Sequence, residues 1–318
     1  MFSWIPNSVL QMSTIFLSIV IEALPFVLLG CIISGALQVF LTPERVRRWL
    51  PKNKFLSILV GSGLGFFFPS CECGIVPIVH QFVKKDVPVP TAFAFMLTAP
   101  IINPVVIFST YIAFGNSWKM AGWRVLGAFL VALVVGIWLA YFQKESVLKE
   151  KLIQNHLNEQ QKHSHHHHEL PIEDQKMKER RFANIHRLGQ QVWHVLTHAI
   201  DEFFDTGRYL IIGGLIAAAM QTYLPTRVML TLGSTKILAI VIMLLLAFTM
   251  SLCSEADAFI GSSLLSLFGT APVVAFLVFG PMVDIKNLLM MKRYFKSQFI
   301  FALICVIAVV VIGYTLLI

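Results

Sequence analysis

The sequence predicts an all-α integral membrane protein built from two homologous, inverted repeats. The chain has 318 residues, of which 57% are hydrophobic and only 13% charged, whereas soluble domains carry about 25% charged residues. Several apolar stretches approach or exceed the ~20 residues that a membrane-spanning helix needs. Residues of the first half also recur in the second half at a nearly constant offset, as in transporters built from internal repeats.

The repeats are visible as residues that match at offsets drifting from 183 to 181 positions. Glu22, for example, aligns with Asp205. The matches predict a first membrane repeat over residues 1–142 and a second over residues 190–318. Between them, residues 143–189 form a polar, His-rich linker that we expect in the cytoplasm.

Each repeat contains four hydrophobic segments, eight in total, and the second segment of each is broken into two short arms. In the first repeat the segments cover residues 8–41, 55–68 with 75–83, 89–114 and 125–142. In the second repeat they cover residues 190–224, 237–250 with 258–268, a span from 271, and 297–318. Because a single arm is too short to span a bilayer, each repeat has about three spanning helices plus a broken or re-entrant helical hairpin.

The broken segments leave two topologies open. If each is a re-entrant hairpin, each repeat crosses the membrane three times and the repeats are inverted; if each crosses, the chain has eight spans and parallel repeats. The loops rich in Lys and Arg favour the hairpins, since all of them then face the cytoplasm. Four basic residues would remain at the outer face: Lys119, Arg124, Arg227 and Lys236.

The composition also limits the partners. No G-x-x-x-x-G-K-[ST] loop is present in the sequence, so this chain does not couple to nucleotide hydrolysis by itself. Its Lys and Arg residues lie in loops between apolar segments, which indicates topology and not a nucleic-acid surface. We expect a multi-pass protein of the cell membrane that contacts the lipid bilayer and a small solute or metal ion, uses no cofactor, and forms a homo-oligomer or binds a partner membrane subunit.

The first break contains the candidate substrate-binding residues Cys71, Glu72, Cys73 and Gly74, which lie between two prolines. Backbone that leaves the helix at membrane depth is tolerated only where protein or water satisfies its polar groups. Thiolates bind soft ions such as copper(I) and zinc. Buried cysteine can instead be a small apolar filler, which explains Cys31 and Cys305 better than it explains a Cys-x-Cys motif between prolines.

The second break has one thiol, Cys253, followed by Glu255 and Asp257. Carboxylates inside a membrane are costly and usually face a pathway, unless they lie at the interface. Further along the chain, Asp284 and Lys286 could hold the break or relay a proton. Lys286 could equally reach the inner face as a positive-inside residue.

Other polar residues allow two interpretations each. Glu22 and Asp205 are candidates for proton or cation coupling, together with Asp257 and Lys286, or are interfacial charges at helix starts. His198 and Glu202 share a helical face in what we interpret as an amphipathic helix at the interface. The linker histidines could bind metal or belong to a solvated linker: His163, His165, His166, His167 and His168.

Three motifs resemble a family of permeases that includes YraQ-like proteins and ArsP-type organoarsenical efflux permeases. They are PSCECGIVP at residues 69–77, APIINP at residues 99–104 and GPMVDIKN at residues 280–287. The resemblance covers nearly the whole chain outside the linker and implies an integral plasma-membrane permease. Asn103, Pro281 and Asn287 belong to these motifs and complete the candidate substrate-binding set.

The sequence thus predicts a secondary transporter for a soft, thiol-reactive solute such as a metal ion, metalloid or organoarsenical. Cys71 and Cys73 would bind the solute near the midplane with Cys253 opposite, and the breaks would alternate access. Two alternatives remain: a membrane-embedded thiol oxidoreductase and a non-transporting subunit of a larger membrane complex. A Cys-x-Cys disulfide would be strained, which counts against the oxidoreductase.

Overall fold

The computed structural model describes residues 7–40, 51, 53–67, 72–142, 147, 177–223 and 235–318. Within them the backbone forms helices and no β-strand. Six helices lie in the first half: α1 Asn7–Phe40, α2 Lys54–Leu64, α3 Glu72–Lys84, α4 Val89–Ile102, α5 Pro104–Ala113 and α6 Trp118–Phe142. Six lie in the second: α7 Met177–Tyr223, α8 Lys236–Met250, α9 Ser254–Phe268, α10 Thr270–Phe279, α11 Ile285–Tyr294 and α12 Ser297–Leu316. The all-helical prediction is confirmed for this part of the chain.

Four helices of the described residues are long and apolar enough to cross a membrane. They contain Ser8–Leu37, Trp118–Phe142, Val195–Tyr223 and Ser297–Leu316. Helices α4 and α5 meet at a bend of 41° and make a fifth span if they cross as one broken helix. The protein is therefore a multi-pass membrane protein.

Two helices begin earlier than the sequence predicts. Helix α7 begins at Met177 and not near residue 190, because residues 177–189 contain no proline and are mostly residues with good helix propensity. Helix α6 begins at Trp118 and not at Val125. This second difference moves Arg124 from a predicted loop into the second turn of α6.

The directions of the first-half helices follow from their contacts. Helix α2 runs in the same direction as α4: Ser57 hydrogen-bonds Thr91 at 2.6 Å, and further along both helices Thr98 donates to the Ser62 carbonyl at 3.0 Å. Helix α3 joins α4 through the tight turn at residues 85–88 and packs against it, as antiparallel helices do. The two arms α2 and α3 therefore run in opposite directions.

Helices α3 and α11 come from different halves and run side by side in the same direction. Glu72 and Lys286, near their amino ends, approach to 3.7 Å. Two turns later, the rings of His80 and Tyr294 stack with centroids 4.2 Å apart. The core lies beside this pair, around α4 and α10, whose side chains are buried almost throughout.

Candidate functional site at the helix breaks

A buried ion-pair triad links the two halves at the breaks. The Lys286 ammonium lies 3.7 Å from Glu72 Oε1 and 3.6 Å from Asp284 Oδ2. All three residues are at most 4% exposed. Because Glu72 begins α3 and Asp284 precedes α11, the triad brings the starts of these two helices together. Lys286 is thus buried at the break, and the interpretation that it reaches the inner face is wrong.

Asn103 and Asp284, which align between the two halves of the sequence, perform the same local task. The Val106 N–H donates to Asn103 Oδ1 at 2.9 Å, and the Asn287 N–H donates to Asp284 Oδ1 at 2.6 Å. Each side chain caps the second part of an interrupted helix by satisfying a free backbone donor. The Pro-x-x-Asn and Pro-x-x-Asp motifs thereby fix where α5 and α11 begin.

The second break is described in full. Helix α8 ends at Met250, and the next residue, Ser251, has a left-handed φ of 50°. Cys253 then caps α9, since the Ala256 N–H donates to its Sγ at 3.4 Å. Glu22, on α1, interacts electrostatically with the Cys253 thiol. The predicted coupling residue Glu22 therefore lies at the break that contains Cys253.

Arg124 is a site residue that the sequence analysis missed. It was expected at the outer face, but it is only 1% exposed. Its guanidinium donates to Thr110 Oγ1 at 2.7 Å, the Ser254 carbonyl at 2.8 Å and the Leu277 carbonyl at 3.2 Å. The planar fork thus joins α6 to α5, α9 and α10, and the Asp257 carboxylate interacts electrostatically with it. The sequence signal for this role was weak, because Arg124 directly precedes the predicted span.

Among the described residues, the buried acids around the breaks outnumber the buried bases. Glu72, Asp257 and Asp284 face two buried cations there, Arg124 and Lys286. One oxygen of each carboxylate, namely Glu72 Oε2, Asp257 Oδ2 and Asp284 Oδ2, accepts no hydrogen bond from the described residues. Buried polar atoms normally find a partner. These three carboxylate oxygens can therefore accept hydrogen bonds from water or a solute, and they can bind a cation or a proton.

Four helices, α3, α5, α9 and α11, begin at these breaks. Their first turns carry free N–H groups and the positive end of the helix dipole. In transporters with interrupted helices, such half-helix starts line the substrate site near the midplane. At α5, α9 and α11 the side chain of the N-cap residue accepts a hydrogen bond from one of these N–H groups.

The remaining motif residues have structural contacts. Cys73 and Pro281 are buried, and Asn287 Nδ2 donates to the Met282 carbonyl at 3.5 Å. Gly74 lies inside α3, where an added Cβ would stand 2.6 Å from the Phe26 carbonyl of α1. Its missing side chain thus permits the crossing of α1 and α3. Glu255 is partly buried in the first turn of α9.

Asp205 does not join the breaks. It pairs with Arg208 on its own helix and with Arg293 on α11. Glu22, which aligns with it in the sequence, lies at Cys253, so the two aligned acids have different surroundings. Gln221 donates to the Met250 carbonyl of the neighbouring helix α8.

Some candidate residues lie outside the described part of the chain: Cys71 and the linker residues His163, His165, His166, His167 and His168. Within the described part, no group of three or more His, Cys, Asp or Glu residues is arranged to hold a metal ion.

Comparisons with known proteins agree with this architecture. Residues 8–318 match the profile of a family, ArsP_1, described as a predicted permease. A Streptococcus mutans protein, described provisionally as a two-component membrane permease complex subunit, is 51% identical over 317 residues, which cover 100% of this chain and 98% of that protein. YcgR of Bacillus subtilis, a UPF0718 protein, is 47% identical over 98% of both chains. YraQ of Escherichia coli is 21% identical over 91% of this chain and 76% of its own length. No solved structure matches the chain.

Proposed function

This chain belongs to the ArsP_1 family of predicted permeases, and we propose that it is a secondary transporter for a soft, thiol-reactive solute. The solute is a metal ion, a metalloid or an organoarsenical. The observation that carries the proposal is the buried triad of Glu72, Asp284 and Lys286, which joins interrupted helices of both halves at one polar point. Buried charged residues at interrupted helices of a membrane protein usually line a transport path.

The proposed architecture is two inverted repeats, each with three crossings and one re-entrant hairpin. The opposite directions of α2 and α3 support a hairpin at the first break. The parallel packing of α3 and α11 supports it independently. With hairpins, both helices run from the midplane to the cytoplasm. With eight full spans they would point to opposite faces.

Thiols supply the proposed selectivity. Cys71 and Cys73 bind the solute at the first break, and Cys253 approaches it from the second. Thiolates prefer soft ions, while the carboxylates of Glu72, Glu255 and Asp284 balance the charge of the bound solute. Rocking of one repeat against the other exposes the breaks to each side in turn.

Two further elements complete the proposal. The linker histidines at positions 163 and 165–168 bind metal ions at the cytoplasmic side, since imidazole is a common metal ligand. The chain also works with a second membrane subunit, an arrangement supported by the name of the S. mutans relative, which refers to a two-component membrane permease complex. Copurification of a stoichiometric membrane protein with the full chain tests this second element.

Elemental mass spectrometry of cells that lack or overproduce the chain tests the function. Zinc, copper, nickel and arsenic would be measured after exposure to each. We expect a selective change in one element that Cys71→Ser abolishes. Cys305→Ser, which alters an exposed cysteine in α12, is the matched control and should retain the change. Full activity in a Cys71→Ser, Cys73→Ser double variant would rule out thiol coordination.

A further inference from the structure

A second buried polar cluster lies away from the helix breaks. It is centred on Glu202 of α7, whose carboxylate accepts hydrogen bonds from the Ser34 hydroxyl of α1 and, at 3.4 Å, from the Tyr294 hydroxyl of α11. His80 Nδ1 of α3 lies 3.9 Å from Glu202 Oε1. We call these four residues the Glu202 cluster. It joins four helices from both halves.

The cluster is buried enough for its protonation state to matter. The side chains of Glu202 and His80 are 11% and 10% exposed. His80 Nδ1 makes no hydrogen bond that meets ordinary geometric limits among the described residues. A carboxylate and an imidazole at this separation can share one added proton. That proton would turn a loose contact into a charge-assisted hydrogen bond.

Helices α3 and α11 connect the Glu202 cluster to the site at the breaks. Glu72 and His80 are eight residues apart on α3, and Lys286 and Tyr294 are eight apart on α11. The same two helices thus meet at the triad and again, about 12 Å away by helix rise, at the stacked rings. A change in the contact at His80 therefore acts directly on the helices that hold Glu72 and Lys286.

We propose that Glu202 and His80 form the proton-binding pair that couples transport to a proton gradient. The pair binds one proton and passes from one net negative charge to neutrality, with no other bond made or broken. The added proton draws His80 toward Glu202 and shifts α3 relative to α7. The coupling to transport rests on the proposed function, whereas proton binding by the pair does not.

Other titratable groups surround the pair on three helices. Cys31 faces it from α1, Lys84 from α3, and Arg293 from α11. Asp205, one turn along α7, is paired with Arg293. Helix α4, which packs on α3, contains no titratable side chain. Glu202 and His80 are therefore the acid and base in direct reach of each other.

Infrared difference spectroscopy of the full chain in nanodiscs tests proton binding. Spectra between about pH 8 and about pH 5, the range in which histidine titrates, should show a carboxylate band that changes as the pair binds its proton. We expect Glu202→Gln to lose this band and His80→Gln to shift its midpoint. Asp201→Asn, which changes the exposed neighbouring acid, should retain it. An unchanged band in Glu202→Gln would overturn the proposal. If Glu202→Gln does not fold, an unshifted midpoint in His80→Gln would overturn it instead.

Transport in proteoliposomes tests the coupling, with arsenite as the probe. In the wild type an imposed pH gradient should accelerate net movement of arsenite. Glu202→Gln should lose this acceleration but keep exchange at equal pH on both sides. Retained acceleration would refute coupling at Glu202. If wild-type vesicles move no arsenite at all, the failure concerns the choice of soft solute, and the spectra still decide whether the pair binds a proton.

Discussion

At the residue scale, Lys286 is the cation that compensates two buried carboxylates. Replacement by methionine keeps most of its length but leaves Glu72 and Asp284 without their ion-pair partner. Loss of one member of a buried pair typically costs about 3–5 kcal/mol. We therefore expect Lys286→Met to lower the thermal unfolding midpoint of the purified protein clearly. Lys292→Met, on the exposed side of the same helix, should leave it nearly unchanged.

The same substitution allows a sharper comparison. If Lys286 matters through Glu72, then Lys286→Met combined with Glu72→Gln should be more stable than Lys286→Met alone, because the second change removes the unpaired charge. Equal midpoints for the single and double variants would contradict the pairing.

Substitution of Arg124 tests whether the hydrogen-bond geometry of its guanidinium or its positive charge alone holds the second break in place. Lysine keeps the positive charge but lacks the planar fork that reaches Thr110, Ser254 and Leu277 at once. We expect Arg124→Lys to destabilise the protein. We also expect it to impair transport of the chemical element whose cellular content changes in the mass-spectrometry test. Each lost buried hydrogen bond costs about 1–3 kcal/mol. Arg208→Lys, at an exposed position, is the control, and wild-type behaviour of Arg124→Lys would show that charge alone suffices.

At the scale of elements, the crossing of α1 and α3 depends on two glycines. An added Cβ at Gly74 would meet the Phe26 carbonyl at 2.6 Å, and one at Gly30 would meet the Gly74 carbonyl. Both obstacles are backbone atoms that cannot rotate away. Gly74→Ala should therefore separate the helices at a cost of about 1–3 kcal/mol.

Thermal unfolding of the purified variants measures this cost. Gly122→Ala in α6 is the matched control, since nothing lies within 4 Å of its added Cβ and alanine favours the helix. It should be neutral or slightly stabilising. If Gly74→Ala behaved in the same way, the close crossing of α1 and α3 would not exist in the membrane.

The elements also show which features the sequence could reveal. The interruptions before Asn103 and Asp284 were predictable, because proline and a capping residue act locally. The start of α6 was not, since helix boundaries depend on packing that no local pattern records. Arg124 was misplaced for that reason. Glu202 was interpreted as part of an interfacial helix face, because its partners Ser34 and Tyr294 lie 168 and 92 residues away in the chain and only the packing of four helices brings them together.

At the scale of the whole molecule, the two candidate topologies make opposite predictions for two loops. With re-entrant hairpins, the turn after α3 faces the cytoplasm and the turn between α5 and α6 faces outward. With eight full spans, both assignments reverse. Asp86 and Asn116 are exposed residues at these turns, so a cysteine at each position reports its side directly.

We expect a membrane-impermeant maleimide, applied to intact cells, to label Asn116→Cys but not Asp86→Cys. Permeabilised cells should label both, which controls for accessibility. The expectation follows from the parallel course of α3 and α11, because two neighbouring helices that start at the same buried triad must end on the same side of the membrane. Both carry basic residues near that end, Lys84 and Arg293, which favours the cytoplasmic side. Labelling of Asp86→Cys alone in intact cells would establish parallel repeats. It would also contradict the parallel course of α3 and α11, because with eight full spans these two helices would end on opposite sides of the membrane and the rings of His80 and Tyr294 could not stack.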